Sequence, residues 1–343
     1  MIYIRVDGNE EIGSGHIMRC LTIAEAICNL GEKVLFILSD ERPVSLLKRS
    51  GFSYYIQNSN YKDMEDELST LIQYLKESRA TKIIIDSYFV TRRYLQQLSE
   101  LISVAYIDDR NNIAYPTTYL INYNIYASKS SYQSIDSIKG SQIKYMLGCN
   151  YAPLRNEFQN IKYQVKNNVQ SILITTGGND KYNIAGNIIE SIEKENMMNT
   201  IDIHVVSGVF NQNFQSLLEK AKENKRIHIH QNVSKMSELM EQCDIAISAG
   251  GSTMYELCAV GVPTICFSFV DNQNLLVEGF RNEGLALYAG DYLELKDELI
   301  SAIIKSANCL IEDVEIRRGL SNSMRQLVDG NGARRIAEEL ICS

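Results

Sequence analysis

The feature that most constrains the fold of this chain is a regular alternation of short apolar runs with longer amphipathic runs. The apolar runs are rich in Val, Ile, Leu and Tyr, which is typical of strands buried on both faces. The amphipathic runs have the spacing of helices that pack through one face. Strand–helix alternation of this kind predicts parallel sheets covered by helices, so we expect an α/β fold.

The alternation occurs twice along the chain, on either side of a polar, proline-containing stretch near residue 150. Strands are predicted first at 2–7, 33–38, 53–57, 82–86, 103–108, 119–122 and 143–147, and then at 170–176, 202–207, 226–230, 244–248, 263–269 and 285–289. A length of 343 residues suits two domains, and we place them at 1–155 and 156–343. A last helix is predicted at about 313–341, interrupted near 329–332, and it is a candidate to pack back on the first domain.

Composition excludes several classes of function. The formal net charge is −8, which disfavours binding to nucleic acid or to an anionic membrane surface. The eight cysteines form no C-x-x-C pair and most lie in apolar runs, which indicates buried free thiols in a reducing compartment. No apolar run reaches the roughly 20 residues of a membrane helix, and the first residues lack a signal-peptide layout. We therefore expect a cytoplasmic protein without membrane insertion.

Three glycine-rich turns each follow a predicted strand and precede a predicted helix, at 11–16, 175–180 and 248–257. Glycine lets the backbone approach a ligand, and a helix amino terminus offers free N–H groups to an anion. None of the three matches the P-loop or the dinucleotide-binding fingerprint. A tight turn explains any one of them equally well. Together they favour a phosphate-containing ligand in a cleft between two domains.

The third turn carries the most specific pattern. Gly250, Gly251 and Ser252 open a short helix that can present N–H groups to a diphosphate. Glu256 lies four residues after Ser252 on one helix face, where its carboxylate can accept the hydroxyls of a ribose. A surface glutamate favoured by the helix dipole is the competing interpretation. The sequence DNQ at 271–273 follows the next strand, so its polar side chains are candidates to reach the same ligand.

His16 stands at the point where the first strand turns into its helix. A histidine there can serve as a general base near neutral pH, or it can simply cap or pack the helix, and the local sequence favours neither. Asp86, Tyr88 and Asp108 end strands of the same domain, and they either line the cleft or cap turns. The other three histidines lie within predicted strands, and no acidic or cysteine partner has the spacing of a metal ligand, so structural roles are favoured.

Seven segments resemble, in order, the sugar-nucleotide hydrolases of the pseudaminic acid pathway. The segments are RVDGNEEIGSGHIMRCLTIAEAI, IIIDSY, YIDD, YAPLRNEF, TTGGND, SAGGSTMYELCAVGVPTI and DNQ. This resemblance covers nearly the whole chain. It implies the GT-B architecture, with two Rossmann-like domains facing across a cleft, and hydrolysis of a UDP-linked 2,4-diacetamido-2,4,6-trideoxy sugar. It also implies that no metal or other cofactor is needed.

The resemblance implies roles for individual residues. His16 matches the general base that deprotonates the attacking water, and Tyr88 matches a tyrosine near the sugar. Asp7 lies in the same loop as His16 and can orient it. Arg155 and Asn272 match residues that contact the substrate. The full set of candidate substrate-binding residues is Gly13, Gly15, Arg19, Arg155, Gly177, Gly178, Gly250, Gly251, Ser252, Thr253, Glu256, Asn272 and Gln273.

Other functions remain open because fold alone does not determine activity. A glycosyltransferase of the same architecture would pass the sugar to an alcohol acceptor, and a UDP-sugar 2-epimerase is a further enzymatic alternative. A non-catalytic UDP-sugar-binding protein is the third, although the presence of His16, Arg155 and Glu256 together argues against it. The sequence thus favours a hydrolase over these alternatives.

Overall fold

The computed structural model describes residues 1–110, 116–129, 132, 143–195, 200–208 and 211–342. The chain divides into two compact units. The first contains residues 1–155 together with 331–343, and the second contains residues 156–330.

The first unit is built on a parallel sheet. Its strands are β1 (Ile2–Val6), β2 (Val34–Leu38), β3 (Ser53–Ile56), β4 (Lys82–Asp86), β5 (Ser103–Ile107), β6 (Tyr119–Asn122) and β7 (Lys144–Leu147). Their spatial order is β3-β2-β1-β4-β5-β6-β7. Because the chain winds outward in opposite directions from β1 and β4, the carboxyl ends of these two strands form a topological switch point.

Helices connect the strands of this first sheet. They are α1 (Gly15–Asn29), α2 (Val44–Arg49), α3 (Met64–Glu77) and α4 (Arg92–Ser99). Strands β1, β4 and β5 carry near-continuous apolar side chains because helices cover the sheet. Ile83, Ile85 and Val104 contribute to one hydrophobic core with Leu68 and Leu71 of α3.

The second unit repeats the same plan. Its parallel strands are β8 (Ser171–Thr175), β9 (Asp202–Val206), β10 (Ile227–His230), β11 (Ile245–Ala249), β12 (Thr264–Ser268) and β13 (Leu287–Asp291). Their order is β10-β9-β8-β11-β12-β13, which places the switch point between β8 and β11. Its helices are α5 (Ile184–Lys194), α6 (Phe214–Glu223), α7 (Met236–Gln242), α8 (Thr253–Val260), α9 (Asn274–Asn282), α10 (Tyr292–Leu295), α11 (Glu298–Glu312) and α12 (Val314–Leu327). Two Rossmann-like units with parallel sheets confirm the predicted fold class.

The last helix of the chain, α13 (Gly332–Ile341), follows the interruption predicted near 329–332 and belongs to the first unit. It packs against α1. A Cβ atom at Gly332 would overlap the backbone of Ala152, so a residue without a side chain is needed where α13 begins. Within the described ranges, each helix is too short or too polar to span a bilayer.

A buried arginine holds the carboxyl end of α11 in place. Arg317 is fully buried, and its guanidinium donates hydrogen bonds to the carbonyl oxygens of Leu310 and Ile311 at the end of that helix. The same group donates to the carbonyl oxygens of Lys166 at 2.9 Å and Asn167 at 2.7 Å. One side chain thus satisfies terminal helix carbonyls and also fixes the segment that leads into β8.

Replacing this arginine should destabilise the protein strongly. We expect Arg317→Ala to lower the free energy of unfolding by about 3 kcal/mol, because several buried carbonyl groups lose their donor. Urea unfolding followed by circular dichroism measures the change. Arg318→Ala is the matched control, since Arg318 is half-exposed and pairs with the exposed Glu315, a contact worth less than about 1 kcal/mol. Equal losses for the two variants would contradict this role of Arg317.

Candidate active site

The switch point of the first unit brings polar side chains together at the carboxyl ends of β1 and β4. Val6 pairs with Asp86 across these two strands. After β1 the chain makes a turn in which the Asn9 side chain accepts hydrogen bonds from the backbone N–H groups of Glu11 and Ile12. Gly13 has a φ of 74°, a left-handed conformation that favours glycine. The turn ends where α1 begins at Gly15, which places His16 in the first turn of the helix.

The imidazole of His16 is held by a buried carboxylate. Its Nδ1 atom lies 2.5 Å from Oδ1 of Asp86, the last residue of β4. Because an ionised carboxylate can only accept a hydrogen bond, Nδ1 carries the hydrogen and donates it. In an uncharged ring, Nε2 then bears the lone pair. This is the tautomer and the orientation that a general base requires.

Arg19 lies one helical turn after His16 and forms a two-pronged ion pair with the same carboxylate. Its Nε and Nη2 atoms each donate to Asp86 at 2.6 Å. Its Nη1 atom donates to Asp109 at 2.8 Å and to the Tyr123 hydroxyl at 2.9 Å. Burial alone would raise the pKa of Asp86, but Arg19 and His16 outweigh it and hold this pKa well below its usual range. Asp86 is therefore ionised at neutral pH.

Tyr88 lies beside His16, with the ring centroids 4.4 Å apart in an edge-to-face arrangement. Its side chain is 38% exposed, and its hydroxyl lies 3.4 Å from Oδ2 of Asp109. Burial and the Asp109 carboxylate raise the pKa of Tyr88 above its ordinary value. The phenol is thus protonated at neutral pH and can donate a hydrogen bond to a ligand beside the imidazole.

The prediction that Asp7 orients His16 is wrong, because the described structure gives that role to Asp86. Asp7 instead accepts a hydrogen bond from Arg5 at 2.6 Å and one from the backbone N–H of Ser39 at 2.9 Å. Arg5 is fully buried and also forms a two-pronged pair with Glu67. Asp7 thus belongs to a buried ionic network that stabilises the unit.

Two other predicted residues of this unit lie in different settings. The guanidinium of Arg19 is committed to Asp86 and Asp109, so the structure shows it as an internal organiser of the site. Arg155 follows the 3₁₀ turn at Cys149–Tyr151, is half-buried, and interacts electrostatically with Glu25 of α1. A substrate contact of Arg155 stays a prediction.

In the second unit, two glycine-rich turns lie at the switch point between β8 and β11. Gly177 has a φ of 78°, and a Cβ atom at Gly208 would overlap the carbonyl oxygens of Gly177 and Gly178. A Cβ atom at Gly250 would lie 2.5 Å from Cγ1 of Val277 in α9. These turns leave backbone groups, rather than side chains, at the carboxyl edge of the sheet.

The turn after β11 forms the amino terminus of α8. Gly251 and Ser252 precede the helix, whose first residue is Thr253, and Ser252 is exposed. The N–H groups of Met254 and Tyr255 donate to the carbonyl oxygens of Gly251 and Ser252 at 3.0 Å, so the donors for an anion are the N–H groups that come before them. Glu256 lies in the same turn and is half-buried. The turn therefore offers a donor surface beside a carboxylate.

The DNQ segment forms a 3₁₀ turn at Asp271–Gln273, directly before α9. The Gln273 side chain accepts a hydrogen bond from the backbone N–H of Phe269 at 3.1 Å, so its carbonyl oxygen stabilises the turn. The side chain of Asn272 lies outside the described part of the structure.

The remaining histidines lie together on neighbouring strands. His204 and His228 are in register on β9 and β10, and Nδ1 of His204 lies 3.1 Å from Nε2 of His230. The rings of His204 and His230 are nearly parallel, 16° apart, with centroids separated by 5.3 Å. At these distances one ring donates a hydrogen bond to the other. Among the described residues, no group of three or more His, Cys, Asp and Glu side chains is placed to hold a metal.

Known proteins are similar to the second unit alone or to most of the chain. Residues 171–309 match the sequence model of the glycosyltransferase family 28 C-terminal domain. The UDP-2,4-diacetamido-2,4,6-trideoxy-beta-L-altropyranose hydrolase of Campylobacter jejuni is 25% identical, over 82% of this chain and 97% of that protein. The predicted resemblance to this hydrolase family is confirmed. The uncharacterized protein MJ1062 of Methanocaldococcus jannaschii is 27% identical over 77% of this chain.

The structural comparison supports the fold assignment. The crystal structure of MurG from Acinetobacter baumannii has a TM-score of 0.69 with this chain at 12% identity, covering 100% of this chain and 99% of that one. The chain has the GT-B type of fold. The match to the M. jannaschii protein extends over 54% of that protein, so this chain spans about half the length of that relative.

The histidine group of β9 and β10 predicts a pH dependence of stability. Burial and the neighbouring His228 and His230 lower the pKa of His204 from 6.5 to about 4, and burial and His228 lower that of His230. In the unfolded chain these histidines bind protons below about pH 6.5, whereas in the folded chain they do so only at lower pH. Their contribution to the free energy of unfolding is therefore fully present above about pH 6.5 and is lost as the pH decreases toward 4.

Urea unfolding between pH 7 and pH 5 measures this dependence. In His204→Gln we expect a flatter curve over this range, because a group that resists protonation in the folded state has been removed. An equally steep loss of stability in the variant and the parent would show that His204 is not responsible.

Proposed function

We propose that this chain hydrolyses a UDP-linked 2,4-diacetamido-2,4,6-trideoxy sugar to UDP and the free sugar, as a step of nonulosonic (pseudaminic) acid biosynthesis. Support comes from the C. jejuni relative, whose name states that activity. The observation that carries the proposal is the 2.5 Å contact between Nδ1 of His16 and Asp86, which leaves Nε2 as the ring atom that can accept a proton.

In the proposed reaction, Nε2 of His16 takes a proton from water as the water oxygen bonds to the anomeric carbon. The bond between that carbon and the β-phosphate oxygen breaks, and its electron pair leaves with UDP. UDP is a good leaving group, so positioning and activating one water accounts for most of the catalytic task. Tyr88 donates a hydrogen bond to the sugar beside His16. A pair of catalytic carboxylates, as in most glycosidases, is then unnecessary.

The second unit is proposed to bind UDP. Backbone N–H groups at Gly251, Ser252 and Thr253 donate to the diphosphate and stabilise its developing charge. The N–H of Gly250 already donates to the carbonyl oxygen of Phe267 at 2.9 Å, so Gly250 keeps the turn free of a side chain there. Glu256 accepts the ribose hydroxyls. Gly177 and Gly178 line the same sheet edge, and the DNQ turn follows β12 there. We further propose that Arg155, Asn272, Gly13 and Gly15 contact the substrate, and that the reaction needs no metal.

A cytoplasmic location fits this function. The described cysteines are free thiols, and five of them are buried, which suits a reducing compartment.

A glycosyltransferase is the second candidate because the matched family model is that of a glycosyltransferase domain. Such an enzyme would hold an alcohol acceptor where the hydrolase holds water. A hydrolase releases UDP when water attacks the sugar, whereas a transferase releases UDP when an acceptor is present. An assay without acceptor therefore separates the two activities.

The first test follows UDP release from the UDP-sugar with EDTA present and no acceptor. We expect rapid release by the parent and a 10²–10⁴-fold lower kcat for His16→Ala, because the general base is lost. His228→Ala is the matched control, since that histidine lies on β10 of the other unit and should leave kcat unchanged. Release that requires an acceptor would favour the transferase. Tight UDP binding without release would indicate a non-catalytic binding protein.

The second test concerns the nucleotide. We expect Glu256→Ala to weaken UDP binding about tenfold in isothermal titration calorimetry. Its kcat should stay within a few-fold of the parent, because the ribose contact is the same in the bound substrate and in the transition state. Glu278→Ala on α9 is a control of equal charge. A large loss of kcat at unchanged KM would contradict the ribose role of Glu256.

A further inference from the structure

The guanidinium of Arg19 lies directly against the imidazole of the proposed base, His16. Besides its pair with Asp86, its Nη2 atom lies 3.0 Å from Nδ1 of His16. Both nitrogen atoms carry hydrogen when Nδ1 donates to Asp86, so neither can accept from the other. The short separation therefore brings a permanent positive charge against the imidazole.

We propose that Arg19 is a positioning residue that keeps the His16 imidazole uncharged, and therefore able to accept a proton, by sharing the Asp86 carboxylate with it. The inference rests on the proposed role of His16 as the base. It assigns to Arg19 a function in the reaction without a contact to the substrate.

The charges around the ring explain why a second cation is needed. A buried carboxylate bonded to Nδ1 would, by itself, strongly favour the protonated ring. A protonated His16 has no lone pair and cannot act as a base. Arg19 takes up both oxygens of Asp86 and places its own positive charge near the ring, and both effects disfavour protonation. Asp86 can then orient the ring without trapping a proton on it.

Asp109 completes the arrangement. It accepts from Nη1 of Arg19 at 2.8 Å and fixes the guanidinium across the two carboxylates. The Tyr123 hydroxyl contacts the same Nη1 atom at 2.9 Å, and Asn124 donates to the other oxygen of Asp109. The guanidinium is therefore held on several sides, and its distance to His16 is set by the fold.

The other titratable groups near the ring are uncharged or point elsewhere. The Cys20 thiol contacts Oδ2 of Asp86 at 3.4 Å, and burial raises the pKa of this thiol well above its usual value. Tyr88 contacts the ring edge to face and stays protonated. The Arg110 guanidinium lies over the Tyr88 ring, 5.3 Å from its centroid, and donates to the Tyr88 carbonyl. Arg19 is thus the cation that directly adjoins the imidazole in the described structure.

The test uses the full chain without substrate and follows each histidine by ¹H–¹³C NMR during a pH titration. In Arg19→Gln we expect the titration midpoint of the His16 ring to move up by about one pH unit or more, because a like charge within a few ångströms has been removed. In Asp109→Asn we expect it to move down, because a nearby negative charge has been removed while Arg19 remains.

The opposite directions make the test decisive. Arg93→Gln is the matched control, since Arg93 is largely exposed on α4 and lies 3.7 Å from Glu65. We expect the His16 midpoint of this variant to match that of the parent. If Arg19→Gln does not fold, as judged by circular dichroism, Asp109→Asn decides alone, because it removes one carboxylate and leaves Asp86 paired with Arg19. An unmoved midpoint, or one that moves in the other direction, in any folded variant of the two overturns the proposal.

Kinetics then separate this inference from the proposed function. If both hold, the acid limb of the kcat/KM profile shifts upward in Arg19→Gln together with the NMR midpoint, and activity recovers at higher pH. If the midpoint shifts but the parent releases no UDP, the hydrolase proposal fails and the role of Arg19 stands. A uniform loss of activity with an unmoved midpoint would leave Arg19 a merely structural residue.

Discussion

The first unit depends on the ion pairs and hydrogen bonds of the Asp86 carboxylate. This carboxylate is buried at the carboxyl end of β4, where an unpaired charge would be strongly unfavourable. Three side chains of α1 contact it, namely His16, Arg19 and Cys20. The same pairing that satisfies the charge therefore docks the helix on the sheet and fixes the ring orientation. Stability and site geometry have one common cause.

The two units use the same topological position for different purposes. Each has a glycine-rich turn at the switch point of its sheet, where strand ends separate and leave room for a ligand. In the second unit the turn after β11 places Gly251 and Ser252 directly before α8, where backbone N–H groups can donate to a phosphate. In the first unit the corresponding helix begins at Gly15 and carries His16 and Arg19 in its first two turns, so side chains occupy this position. The fold supplies the position, and the residues at the first helical turn determine the chemistry.

The strands were predictable because burial on both faces leaves a local signal. The strands of the described residues lie within two residues of the predicted ranges, and β13 deviates most, at 287–291 against 285–289. The hydrogen-bond partner of His16 was harder to predict from the sequence. Asp7 is near His16 in sequence, whereas Asp86 is 70 positions away and becomes adjacent only through the pairing of β1 with β4. An acid at the end of a strand was the available signal. Asp108 after β5 carried the same signal, but it accepts hydrogen bonds from the backbone N–H of Arg110 and the Tyr132 hydroxyl.

The separate roles of Asp7 and Asp86 show how neighbouring strand ends avoid a conflict of charges. Both acids end adjacent parallel strands, and two unpaired carboxylates there would repel each other. Arg5 and the Ser39 backbone satisfy Asp7 on the β2 side of the sheet, and Arg19 satisfies Asp86 on the side of β5. Each acid thus has its own arginine, supplied by a different element. Because the cation of Asp7 comes from β1 itself, that pair is fixed by the strand and leaves the α1 cation available to act on His16.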